Sequence, residues 1–431
     1  MKIGVLTHNY PRFSGDFSGR FVEALSEELV TQGHDVAVIA PWDAAYARTA
    51  ADHRVRLLLY RYAPRADWHR LGYMRTMRAD VALRGGTYLL APGLFLAGAR
   101  AALRWTSQER PDVLHAHWTL PNGFMAALAA RRYRVPLVVS IPGSDATVAG
   151  QNPVFRRMAK FAFDQAGLIT ANSAALRDVA VVGLGADPAK FDLIAYGVDP
   201  NAYLPDPAGT ADLRASLGIP PEAIVFLAVG RMVYKKGFDR LIRAAALMAN
   251  SPHGWRIADG KSPVVSSQRP SAIGQTPTIH LVLVGEGDLW AEWQALGREL
   301  RLGDRLHWVG NVPADRLGVY YNMADALVMP SVTHPADGLN VTVLDAMSCA
   351  RPVVGTSAAG NELAIRDGDN GFLVPEGDDA ALAGALATLA ADPDLRARMG
   401  AAGRQRIETE LGWPRLARRY VTHFERLAGG G

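Results

Sequence analysis

The sequence predicts an α/β protein built from two doubly wound, Rossmann-like domains facing each other across a cleft. Three observations predict it. Short apolar runs of strand length alternate with amphipathic runs of helix length, the pattern of parallel sheets. The alternation breaks near residue 200 and then restarts. The 431 residues also exceed what one hydrophobic core usually serves.

In the first half the strand-like runs are Ile3–Thr7, Val36–Ala40, Val113–His117, Leu137–Ile141, Leu168–Ala171 and Phe191–Ala195. Arg20–Gln32 is amphipathic and stops at Gly33, a sensible helix end. Tyr196-Gly197-Val198-Asp199-Pro200, with Pro205 and Pro207 beyond, reads as a linker. It divides the chain into domains 1–200 and 201–412. In the second domain the strands are Ile224–Val229, His280–Val284, Leu306–Val309, Ala326–Met329, Pro352–Gly355 and Gly371–Val374. A loop over Gly230–Gly237 opens a helix over Phe238–Ala249. The Ser-, Pro-, Gly- and Gln-rich segment 251–278 reads as a disordered surface insertion. A helix over Trp413–Leu427, with a basic side, is expected to pack back on the first domain.

Composition narrows the function. The single cysteine, Cys349, excludes an intramolecular disulfide and a cysteine-based metal cluster and fits a reducing, cytoplasmic setting. The apolar run at Met1–Asn9 is too short for a signal peptide and reads as a buried strand. No run approaches the ~20 apolar residues of a membrane span. Basic charge is concentrated at Arg48, Arg54, Arg56, Arg61, Arg65, Arg70, Arg75, Arg78 and Arg84, against Asp52, Asp67 and Asp80. The apolar Tyr88–Gly98 follows. Such a region suits peripheral contact with an anionic membrane surface; it also suits a solvated helix face followed by a core helix. No basic-aromatic groove motif calls for nucleic acid. No Gly-x-Gly-x-x-Gly follows the first strand, which disfavours a nicotinamide dehydrogenase.

Two constellations carry chemistry. In Gly230-Arg231-Met232-Val233-Tyr234-Lys235-Lys236-Gly237 a buried strand opens onto an arginine, a lysine and a helix-opening glycine. Diphosphate needs positive charge and free backbone N–H groups, and this arrangement supplies both. In Asp337-Gly338-Leu339-Asn340-Val341-Thr342-Val343-Leu344-Asp345 one carboxylate lies on a loop after a strand. The other lies past the first turn of a helix, where capping does not account for it. Paired carboxylates there suit the hydroxyls of a sugar and a ribose. His115 and His117, alternating on a strand, are expected to face opposite sides. His117, at the strand's carboxyl end, is the acceptor-site candidate.

These motifs, with Gly285-Glu286-Gly287, Arg351-Pro352-Val353-Val354-Gly355-Thr356 and Asn370-Gly371-Phe372-Leu373-Val374, resemble the retaining group 1 glycosyltransferases (family GT4, GT-B fold). The loop after the first strand, Asn9–Val22, is similar to that family's glycine-bearing loop, as are Gly33-His34-Asp35-Val36, Pro111–Trp118 and Gly143-Ser144-Asp145. The resemblance spans nearly the whole chain. It implies a first domain that takes a glycan or glycolipid acceptor and a second that takes a nucleoside-diphosphate sugar. It implies that Arg231 and Lys236 bind the donor diphosphate, Asp345 the ribose and Asp337 the transferring sugar. Gly338 and the backbone N–H groups of Leu339 and Asn340 would complete that pocket, with Glu286 close by. Gly15, Asp16 and Gly19 would let the first-domain loop approach donor phosphate and acceptor. It further implies no metal and no cofactor, and transfer with retention by a same-face route in which a leaving phosphate oxygen helps take the acceptor proton.

Four residues depart from the family's pattern. Asp337 and Asp345 stand where it usually has glutamate, each about 1.5 Å shorter in reach. Pro142 replaces a histidine and Tyr196 a frequent asparagine. The paired Asp keep both charges, which points to a different sugar or a shifted backbone rather than lost activity. The alternative is a non-catalytic sugar-nucleotide or glycolipid-binding homologue; a sugar-phosphate synthase or a phosphorylase is a further enzyme alternative.

Overall fold

The computed structural model describes residues 1–16, 18–49, 52–72, 77–78, 82–83, 89–143, 145–250, 255–258, 262–265 and 278–430. Arg75, Asp80, Arg84, Tyr88, Ser144 and most of 251–278 lie outside these residues. Within that last segment Trp255–Ala258 and Ser262–Val265 pair as antiparallel strands. The chain divides into two compact units, Met1–Gly197 with Trp413–Gly431, and Val198–Gly412.

The first unit holds a seven-stranded sheet: β1 Lys2–Leu6, β2 Asp35–Pro41, β3 Arg56–Tyr60, β4 Val113–His117, β5 Leu137–Ile141, β6 Leu168–Ala171 and β7 Phe191–Leu193. Its order is β3-β2-β1-β4-β5-β6-β7, parallel throughout. The second unit holds six parallel strands: β8 Ile224–Val229, β9 Ile279–Val284, β10 Leu306–Gly310, β11 Ala326–Met329, β12 Val353–Thr356 and β13 Gly371–Val374. They run β10-β9-β8-β11-β12-β13. In each sheet the strand order reverses beside the unit's first strand, at β1/β4 and at β8/β11. Open α/β sheets bind ligands at that reversal, outside the carboxyl ends of the strands.

The apolar runs of the sequence become strands because both sheet faces are covered. Every residue of β8 is buried, as is every residue of β4, β5 and β6. The edge strand β3 was not expected. Arg56-Leu57-Leu58-Leu59-Tyr60 shows no clean alternation, and the arginine region around it reads as helix and loop from sequence. The C-terminal helix Trp413–Gly429 belongs to the first unit's core. Leu416, Ala417, Tyr420 and Phe424 join Ile3, Val5 and Val138 there.

One expectation is corrected. Residues two apart on a strand share a face, so His115 and His117 lie on the same side, their ring centroids 4.2 Å apart. Among its described residues, the arginine-rich region is largely matched within the protein. Arg48 pairs with Glu23, Arg54 donates to Thr31, and Arg56 bonds Glu109 at 3.0 Å. Arg61 lies over the Trp42 ring, 4.0 Å from its centroid.

Candidate functional site

At the switch point of the second unit, the loop after β8 meets the loop after β11. Gly237 has φ +64°, and a Cβ there would come within 2.0 Å of the Pro330 carbonyl oxygen. Glycine is required for that approach. It brings Lys235 and Lys236 onto Asp337. Lys235 Nζ lies 3.1 Å from Asp337 Oδ1 and Lys236 Nζ 2.9 Å from Asp337 Oδ2. Lys236 also donates to Asn340 Oδ1, and Asn340 Nδ2 donates to Ser331 Oγ at 3.1 Å. Burial alone would raise the Asp337 carboxyl. The two ammonium groups outweigh it and hold Asp337 at about 2. Lys236 moves the other way: burial lowers it, Asp337 opposes, and the neighbouring charges of Lys235 and Arg231 lower it further. The cluster holds more positive charge than its carboxylate balances, a disposition suited to an incoming anion. Arg231 is exposed at the loop's start, within the influence of Asp337 and Asp288.

The turn Gly285-Glu286-Gly287 is laced to this loop by backbone. Met232 N–H donates to the Glu286 carbonyl at 2.9 Å and Leu289 N–H to the Met232 carbonyl at 3.0 Å. The Glu286 side chain is exposed and accepts from Asn311 Nδ2 at 2.9 Å. Gly338, Leu339 and Asn340 are buried just ahead of the helix Val341–Ser348. Asp345, fifth in that helix, is buried and accepts from the Tyr321 hydroxyl at 3.2 Å. Arg231, Lys236, Asp337 and Asn340 are thus brought together, while Asp345 is held on the following helix by Tyr321. Lys235 and Tyr321 were not foreseen. A doubled lysine does not reveal which member is buried, and Lys235 is only 6% exposed.

In the first unit, Gly19 (φ +72°) opens the helix Arg20–Thr31, and a Cβ there would meet the Asn9 carbonyl oxygen at 2.2 Å. Gly15 stands in open space. Asp16 is engaged inside its own loop: Arg12 Nε bonds Oδ2 at 2.6 Å and Ser18 N–H donates to Oδ1 at 3.1 Å. His117, at the end of β4, is buried, and burial lowers it to about 3. Neither ring nitrogen has a partner among the described residues. His8, near the ring of Trp118, is lowered by burial to about 4. Asp145, whose Oδ2 accepts from Thr119 N–H at 2.6 Å, is raised by burial to about 7. Two of the residues that depart from the family's pattern touch each other: the Tyr196 hydroxyl donates to the Pro142 carbonyl at 2.9 Å.

The chain is similar to known proteins in sequence and in fold. Residues 210–406 match the family described as glycosyl transferases group 1, and residues 18–202 match Glycosyltransferase Family 4. A D-inositol 3-phosphate glycosyltransferase of Kineococcus radiotolerans is 31% identical over 357 residues, covering 77% of this chain and 75% of that one. The chain belongs to the group 1 glycosyltransferases. A similarly named protein of Streptomyces bingchenggensis is 29% identical, and the match spans 71% of this chain but only 64% of that protein's length. Among solved structures, sucrose-phosphate synthase from Thermosynechococcus elongatus aligns over 100% of both chains with TM-score 0.69 at 20% identity. Anabaena HepE in complex with UDP aligns over 99% of this chain and 100% of its own, with TM-score 0.68 at 19% identity. At those identities the likeness is one of fold: two Rossmann-like α/β domains.

Proposed function

We propose that this group 1 glycosyltransferase transfers a sugar from a nucleoside diphosphate to an acceptor hydroxyl with retention of anomeric configuration. The observation that carries the reading is Asp337 held between Lys235 and Lys236 at the β8/β11 switch point. On donor binding, Lys236 and Arg231 take the diphosphate. Their charge stabilises the leaving group without a metal. Lys235 keeps Asp337 ionised, and Asp337 orients the sugar and faces the positive charge that develops at its ring. Asp345 takes the ribose hydroxyls. No cofactor enters, since the sugar nucleotide is the substrate. HepE, solved with UDP and with UDP-glucose, supports a nucleotide sugar as donor.

The acceptor is read as a glycan or glycolipid precursor of polysaccharide biosynthesis, handled by a cytoplasmic enzyme working against the inner membrane face. With most of the arginine region paired internally, the surface that supports membrane contact is the start of the helix Ala91–Glu109. Leu89 and Leu96 are 86% and 54% exposed there, followed by exposed Arg100 and Arg104. No helix among the described residues is long and apolar enough to cross a membrane.

A thermal-shift screen of UDP-, GDP- and ADP-sugars tests the donor site, because a true donor stabilises the fold by mass action. Transfer or donor hydrolysis by the stabilising nucleotide is the expected companion result. Stabilisation without any turnover would favour a non-catalytic binder, and a flat screen would remove the donor site.

A further inference from the structure

At the carboxyl edge of β4 to β7 the first unit contains a pocket of ≈ 340 Å³ counted out to its open mouth. Its floor is narrow, admitting a group about the size of one water. Phe21, Tyr196 and Trp413 form apolar walls. Ser140 and Thr170 also line it, and their hydroxyls are used by a chain in which His115 Nε2 meets Ser140 Oγ at 2.7 Å and Ser140 Oγ meets Thr170 Oγ1 at 2.7 Å. Two lining side chains stand differently. Asn172 is 3% exposed and His117 2% exposed. Both amide atoms of Asn172 and both ring nitrogens of His117 lack partners among the described residues.

Unpaired buried polar groups are costly, and native proteins keep few of them. Two such side chains lining one pocket call for a ligand that hydrogen-bonds. Among the described residues no Asp, Glu, Lys or Arg lines the pocket, so a charged group would enter without a counter-charge from them, at large cost. Asn172 offers two donors and an acceptor, and a neutral imidazole offers one of each. A hydroxyl, which both donates and accepts, matches that set. The aromatic walls suit the C–H faces of a sugar ring.

We propose that this pocket is a hydroxyl-recognising subsite for an uncharged sugar or polyol, with Asn172 and His117 reading one inserted hydroxyl or hydroxymethyl group. The assignment of this ligand as acceptor rests on the glycosyl-transfer reading; its binding does not. The relatives' names give a phosphorylated inositol, so the absence of charge in the lining predicts a different acceptor class here.

The test uses the full chain without donor. Methyl α-D-glucopyranoside, methyl α-D-mannopyranoside, myo-inositol and glycerol are titrated by saturation-transfer NMR, with inositol 3-phosphate as the charged comparison. At least one neutral compound is expected to bind saturably and to bind about tenfold more weakly to Asn172→Leu, whose side chain fills the floor. UDP, GDP and ADP affinities should be unchanged. If Asn172→Leu does not fold, Asn172→Ala carries the same test with the space left open. Failure of all four neutral compounds to bind overturns the proposal. So does neutral binding indifferent to Asn172, or inositol 3-phosphate binding that Asn172→Leu abolishes. Failure of the wild-type protein to bind any nucleotide would count against glycosyl transfer, and the polyol result would stand apart from it.

Discussion

At the second unit's switch point, Lys235, Lys236 and Arg231 gather around Asp337, and the carboxylate is driven fully ionised. At the carboxyl edge of the first unit, His117, His8 and Asp145 are driven the other way. Burial takes His117 to about 3 and His8 to about 4, and lifts Asp145 to about 7. The same sheet order produces both edges. The difference lies in what each loop brings. One brings opposite charges close enough to compensate desolvation; the other brings single ionisable groups into apolar surroundings, where the neutral form wins. A charged edge suits a diphosphate and a neutral edge suits hydroxyls, a division of labour fitting a transferase with an anionic donor and an uncharged acceptor.

The strongest way to break this comparison is Lys236→Ala. If Lys236 carries charge onto the leaving diphosphate, its loss should lower the transfer rate by about 10²–10³. The melting temperature should move little, because Lys235 still holds Asp337. A near-normal rate would deny the charged edge its function.

Asp337→Asn removes the compensation itself. Two buried lysines would then lack their counter-charge, at a cost of about 3 kcal/mol. The folded-state carboxyl sits near 2, below its unfolded value of about 4. Its stabilisation is therefore complete above about pH 4 and lost as pH falls toward 2. Melting curves of variant and wild type should be far apart at neutral pH and converge over that acid window. Added nucleoside diphosphate should narrow the neutral gap by replacing the missing anion.

Parts of this contrast were legible in the sequence. β4, β5, β6, β8, β11 and β13 match the apolar runs residue for residue, because a strand covered on both faces must be apolar throughout. The edge strand β3 carries Arg56 and escaped notice, since an edge tolerates charge. The basic loop and the two aspartates were visible as residue types placed after strands. Their pairing was not, because it depends on how closely Gly237 lets two loops approach, a distance that spacing along the chain does not contain. Asn172 was invisible for a related reason. Its position just after β6 is readable, but the lack of a hydrogen-bond partner is a property of the whole surrounding surface.

Asp145→Asn sharpens the neutral side. An acid raised to about 7 in the folded state favours its protonated form there. Its stabilising share is present at low pH and is lost as pH rises from about 4 through 7. The isosteric amide cannot ionise, so the variant should match the wild type near pH 4 and exceed it by about 4 kcal/mol at pH 8. Equal pH dependence in both proteins would mean that Asp145 is charged in the fold and that this edge is not uniformly neutral.

The smallest effect concerns the wall of the neutral pocket. Pro142 and Tyr196 depart from the family's pattern separately in sequence, yet in the fold they make one contact, hydroxyl to carbonyl at 2.9 Å. Tyr196→Phe keeps the ring against Phe21, whose centroid is 4.7 Å away, and deletes that bond. The expected loss is about 1 kcal/mol of stability, the net worth of a neutral hydrogen bond. If the bond serves only to hold the wall, affinity for a neutral sugar should stay within about twofold of wild type. A tenfold loss with an unchanged melting temperature would instead put the Tyr196 hydroxyl among the groups that read the ligand. Proline at 142 would then leave its carbonyl to orient that hydroxyl rather than to brace the fold.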